Sequence, residues 1–188
     1  MIRKIFALGL ALAAIPGCGS DSTSTNDMTT KGPGAALKCT SSGKDAFDTY
    51  GAAAFVTVNE AIFANVNTEI TSNGTTNLGT AFTKIGSGTP PATSDDAPTF
   101  KGKLAAFLVY AYGGPTSIMY TDGKTYSGLQ DMPSAHAGLA ITSDQYDYFI
   151  TNSVVPALTG SGVSSDDVSS CFAPIVTDPT FKASIVGQ

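Results

Sequence analysis

The chain has 188 residues, 42% of them apolar and 13% charged, with ten basic against fifteen acidic side chains. That length and apolar content fit one domain with its own core and exclude a disordered chain or a small disulfide scaffold. With one histidine, His136, and three cysteines, the chain cannot build a site from two imidazoles, and any Ser-His-Asp or Cys-His constellation has to use His136.

Arg3 and Lys4 precede an apolar run from Ile5 to Ile15, followed by Pro16, Gly17 and Cys18. A positive stretch followed by a short apolar one reads as a secretory signal, too short to span a bilayer by itself. Its ending resembles the lipobox of bacterial lipoproteins: Ile15, Gly17 and Cys18 match, while Pro16 departs from it. The resemblance implies a signal peptide over residues 1–17, lipidation at Cys18 and a lipid-anchored place in a bacterial cell envelope. Gly19, where an aspartate would retain the protein at the inner membrane, resembles an outer-membrane signal. A plain secreted protein is the alternative.

Without residues 1–17 the chain keeps eight lysines, fifteen acids and no arginine, a net charge of 8 − 15 = −7. Such a surface repels nucleic acid, and no Gly-rich phosphate loop is present. Residues 18–34, rich in Ser, Thr, Gly and Asp, read as a flexible tether, with a folded domain over residues 35–188.

The domain reads as all-α. Phe55, Val58, Ile62, Phe63, Val66 and Ile70 form a helical stripe within residues 52–70. The Gly-, Pro-, Ser- and Thr-rich stretch 71–99 is long for a structureless connection, so a short helix is expected around residues 80–85. Leu104, Phe107, Leu108 and Ala111 mark the next helix. Thr142-Ser143-Asp144 caps another with the stripe Tyr146, Phe149, Ile150 and Val154, which Pro156 is expected to kink or end early. Val168, Phe172, Ile175 and Val176 form a last stripe, crossed by Pro174.

With Cys18 taken by lipid, Cys39 and Cys171 remain as an even pair in an oxidising compartment. One disulfide is the expected state, and two separately buried thiols are the alternative. There is no CxxCH, which excludes covalent c-type haem.

Taken alone, His136 reads as a surface or hydrogen-bonded residue. Its neighbours in order, Phe107 to Gly114, Tyr126-Ser127-Gly128, Met132, His136-Ala137-Gly138-Leu139 and Ile141-Thr142, resemble the truncated haemoglobins. The resemblance extends more weakly over residues 46–185. It implies a truncated globin fold, a 2-over-2 helical sandwich around noncovalent haem b, with His136 as the proximal iron ligand. Phe63, Phe82, Leu104, Phe107, Met132, Leu139, Phe149 and Val154 are the expected haem walls, with ordinary core packing as the alternative for each. Lys103 is the expected partner of the haem carboxylates, with Lys101 and Lys124 as alternates.

The resemblance departs from the family's pattern on the side where a gas would bind. Ile62 and Phe63 stand where the family has a phenylalanine-tyrosine pair, and Phe100 and Leu104 occupy the two distal positions of the later helix. The pocket is therefore expected to be apolar, with Tyr110, Tyr112 or Lys103 as polar groups that could still swing in. Only Gly51 remains of a double glycine that opens the family's second helix. The implied function is binding of oxygen, nitric oxide or carbon monoxide rather than catalysis, with a reductase as a further partner. A haem enzyme such as a nitric oxide dioxygenase, and a haem-free globin-fold interaction lipoprotein, are the alternatives.

Overall fold

A computed structural model describes residues 31–86 and 97–188, so the expected signal peptide and the expected lipidation at Cys18 lie outside the described residues. The described chain is mostly helical with one small hairpin. It comprises α1 (Ala46–Asn73), α2 (Gly79–Gly86), α3 (Ala97–Ala111), β1 (Ser117–Met119), β2 (Thr125–Ser127), α4 (Met132–His136), α5 (Ser143–Phe149), α6 (Val155–Gly160), α7 (Ser165–Asp167), α8 (Ala173–Val176) and α9 (Pro179–Ala183). No described helix is long and apolar enough to cross a membrane.

Asp45 starts α1 by accepting a hydrogen bond from the Asp48 amide at 2.7 Å. Gly51 then interrupts the helix at φ 75°, ψ 164°, a conformation open to glycine and strained for other residues. The kink gives α1 two tasks. Ahead of it, Phe47 and Tyr50 reach the aromatic cluster at the domain's closure. Beyond it, Phe55, Val58, Ile62 and Val66 are buried along one stripe, and α1 packs against α3, where Ala105, Ala106 and Val109 are buried.

Packed structure begins upstream of Ala35. Pro33–Ala36 forms a 3-10 turn, and Gly32 and Gly34 are buried against the main chain of Tyr110 to Tyr112, where a side chain would collide. Lys31 bridges to Asp45 at 2.9 Å and to Asp48 at 2.6 Å. Low hydrophobicity made residues 31–34 look like tether, whereas it is their lack of bulk that lets them lie on the end of α3.

Pro156 and Pro174 do not stop their helices. Each follows a π turn, Ile150–Val154 and Val168–Phe172, so that the residue just before the proline donates five residues back: Val155 to Ile150 and Ala173 to Val168. The wider turn carries the helical path past a residue that lacks an N–H and whose ring crowds the preceding turn. Residues 143–160 thus run on beyond the expected break.

The antiparallel hairpin pairs Ile118 with Tyr126 and packs on α3. It was not expected from the sequence, although Asp122-Gly123 in its turn is a hairpin signal. Similarly, Asp178 caps α9 by accepting from Thr180 and Phe181, with Pro179 in the first helical position.

Cys39 and Cys171 are joined in a disulfide across 132 positions. Beside it, Tyr50, Phe55 and Tyr112 surround Phe172, with ring centroids 5.8, 6.0 and 4.9 Å away respectively. Asp167, fully buried, accepts from the Ser41 amide at 2.9 Å and from the Ser41 and Tyr50 hydroxyls, each at 2.5 Å.

Candidate functional site

The stripes of α1, α3 and α5 do not close completely on one another. Between them, and covered by residues 130–141 and the segment after α8, lies a cavity of about 490 Å³. This is within the range of small-molecule and cofactor sites. Its walls are largely apolar: Phe55, Val58 and Ile62 from α1, Phe82 from α2, Phe100, Leu104, Phe107 and Leu108 from α3, and Phe149, Val154, Leu158 and Phe172 from the later helices. The polar side chains on its lining, besides two tyrosines, are Lys103, Gln130, Asp131, Ser134 and His136.

His136 ends α4, a single short turn that begins with Pro133 near its start and with the Asp131 carbonyl accepting from Ala135 at 2.8 Å. The ring is half-buried, and Nδ1 lies 2.8 Å from the Met132 carbonyl oxygen, so that Nδ1 is the protonated nitrogen of the neutral ring and Nε2 is left to accept a metal. Burial pushes the imidazole's pKa below its usual value, against a smaller upward influence from the Met132 hydrogen bond. A neutral ring is the form that ligates metal.

Nine of the ten expected cofactor residues line this one cavity: Phe82, Lys103, Leu104, Phe107, Met132, His136, Leu139, Phe149 and Val154. Phe63 does not. It stands edge-on to Phe100 with centroids 5.7 Å apart, under the Lys101 ammonium 5.1 Å from its centroid, and Lys101 in turn binds Glu60 at 2.6 Å. One position along α1 turns a side chain by about 100°, which separates Phe63 from its neighbour Ile62 on the cavity wall.

Sequence reasoning missed Phe55, Tyr112, Tyr146, Phe172, Val176, Phe181 and Ile185 as wall residues. Several were visible as core stripe, but nothing in the spacing says which core residues border a void. Tyr112 and Tyr146 donate their hydroxyls to the carbonyl oxygens of Phe172, at 3.1 Å, and Val176, at 2.8 Å. Burial raises the pKa of both phenols. Tyr112 is therefore engaged elsewhere instead of offering a donor to the cavity, and Tyr110 is not on the lining. Phe100, Leu104 and Ile62, the residues at the expected distal positions, do line it.

Cys39, Asp167 and Cys171 bring three potential metal-ligand atoms within 4.8 Å of one another. The two sulfurs are bonded to each other and the carboxylate is taken by Ser41 and Tyr50, so this cluster is structural. Comparisons of the chain with protein-family models, curated proteins and solved structures find no match.

Proposed function

We propose that this chain is a haem-binding lipoprotein of the truncated-haemoglobin type, with His136 as the proximal ligand of a noncovalent haem b and a small gas, oxygen, nitric oxide or carbon monoxide, as its ligand. The observation that carries this reading is the state of His136: a neutral imidazole on the wall of an apolar cavity, with one nitrogen fixed by Met132 and the other left over. The mostly helical architecture is compatible with a globin-type sandwich. The signal and lipobox pattern at Cys18 supports a lipid-anchored location in a bacterial envelope.

The residues present suit the group. Haem needs one axial nitrogen, an apolar slot and cations or water for its carboxylates. His136 supplies the first. Leu104, Phe107, Leu139 and Phe149 would form the slot, and Lys103 would meet a carboxylate. When bound, haem supplies an iron centre able to take a diatomic ligand. The protein's own part is to hold the imidazole neutral and oriented through Met132, to exclude water with its aromatic walls, and to keep the Tyr112 and Tyr146 hydroxyls on main-chain carbonyls.

The test is a haem titration of the purified protein followed by absorbance. A Soret band that saturates with one equivalent and disappears in His136→Ala supports the reading; identical uptake by that variant, or no uptake by the native chain, overturns it.

A further inference from the structure

A helix of five residues has no stability of its own, so α4 and the imidazole at its end must be held from outside. None of its residues is fully buried. On the entry side the Asp131 carbonyl and carboxylate accept from the Ala135 amide and the Ser134 hydroxyl. The exit is less simple. The His136 carbonyl accepts from Leu139 at 3.1 Å, Gly138 turns the chain, and Ala140 then adopts φ 50°, the one positive φ at a non-glycine position among the described residues. That conformation is unfavourable for alanine.

What accompanies it is a pair of main-chain hydrogen bonds to residues 187 and 188. The Ala140 amide donates to the main-chain oxygen of Gln188 at 2.9 Å, and the Gly187 amide donates to the Ile141 carbonyl, also at 2.9 Å. Gly187 has φ 78°, where a side chain would be strained. The same segment contributes Phe181 and Ile185 to the cavity wall, and Lys182 fastens it to Asp147 on α5 at 2.6 Å. Residues 181–188 therefore cover part of the cavity and tie down the exit of the histidine turn at once.

We propose that Gly187 and Gln188 are positioning residues for His136: they form a strap that fixes the exit of α4 and thereby how firmly the imidazole is presented to the cavity. This rests on the haem reading for its functional meaning but not for its structural content. Gly187 and Gln188 are not on the cavity lining, and their action passes through Ala140 and Leu139 to His136.

Two variants break the strap by different means: removal of residues 187–188, and Gly187→Val, which places a β-branched side chain at a left-handed position. Hydrogen exchange on the haem-free protein is the first readout. The amides of residues 135–141 are expected to exchange about tenfold faster in both variants, the size expected for losing two main-chain hydrogen bonds, while amides within α1 and α3 keep their rates. Unchanged exchange at residues 135–141, or an equal acceleration throughout α1 and α3, overturns the strap. The second readout is haem release to an excess of a haem-scavenging apoprotein, with the iron–histidine stretch of the ferrous form by resonance Raman. Faster release with a shifted stretch supports positioning, whereas an unshifted stretch and native release overturn it. If the native chain takes up no haem, the haem reading fails and the exchange measurement alone decides the strap.

Discussion

Met132 and His136 form a closed pair within a single helical turn: the carbonyl oxygen of the first accepts from the imidazole of the second at 2.8 Å. Because burial outweighs this bond, the ring's pKa in the folded protein lies below the ordinary value of 6.5. As pH falls, the unfolded chain takes up its proton first, so the folded state loses stability from about pH 6.5 downward until the folded ring also titrates. Urea midpoints of the haem-free protein are expected to decline between about pH 7 and 5, with His136→Gln flattening that part of the profile. An NMR titration placing His136 at or above 6.5 would show instead that the Met132 hydrogen bond outweighs burial.

The Cys39–Cys171 bond closes a loop of 132 positions. In the chain-entropy account a loop of this size stabilises by roughly 4–5 kcal/mol. The double variant Cys39→Ser, Cys171→Ser is expected to lower the unfolding free energy by an amount of that order. Intact mass after alkylation without reductant should show neither cysteine modified.

Asp167 is a buried carboxylate whose pKa is pulled two ways. Burial raises it, and the donors from Ser41 and Tyr50 together lower it below the usual carboxylate value. Its contribution is present above about pH 3.8, the unfolded value, and is lost as pH falls through the lower folded value. Asp167→Asn keeps the shape but removes the charge, and a loss of about 1.5–3 kcal/mol at neutral pH is expected. Chemical denaturation at pH 7 measures it.

Leu104 lines the cavity and stands at one of the two distal positions that the proposed haem reading assigns to α3. If the haem reading holds, Leu104→Gln introduces a hydrogen-bond donor, and oxygen release is expected to slow by about tenfold or more, with a smaller effect on carbon monoxide. Stopped-flow displacement distinguishes the two gases, and equal changes for both would overturn the expectation that position 104 faces the bound gas.

The helices were legible where burial repeats with helical spacing. Phe55, Val58, Ile62 and Val66 mark α1, Leu104 and Phe107 mark α3, and the Thr142–Gln145 capping box marks the start of α5. Pro156 misled because local rules treat proline as a kink or a stop, while a π turn just upstream, as also before Pro174, is a cooperative adjustment of the packed helix. The hairpin and α9 carried local signals, Asp122-Gly123 and Asp178-Pro179, too short to stand out beside the helical stripes. The cavity walls were readable only in part, since Phe172 and Ile185 reach the void through chain closure. Asp45 and Asp167 look like surface acids in sequence, and what permits their burial is partners such as Lys31, Ser41 and Tyr50 brought in by the fold.

The disulfide also changes what a cut in the chain means. Between its two cysteines lies nearly all of the helical architecture, including the exposed turn at residues 121–124. A protease that nicks this turn produces two fragments, yet they remain one covalent molecule, with α1 and α3 on one piece and the imidazole on the other. The nicked molecule should travel as an intact chain until a reductant separates it, and the domain can therefore survive backbone cleavage at its surface as a two-chain protein.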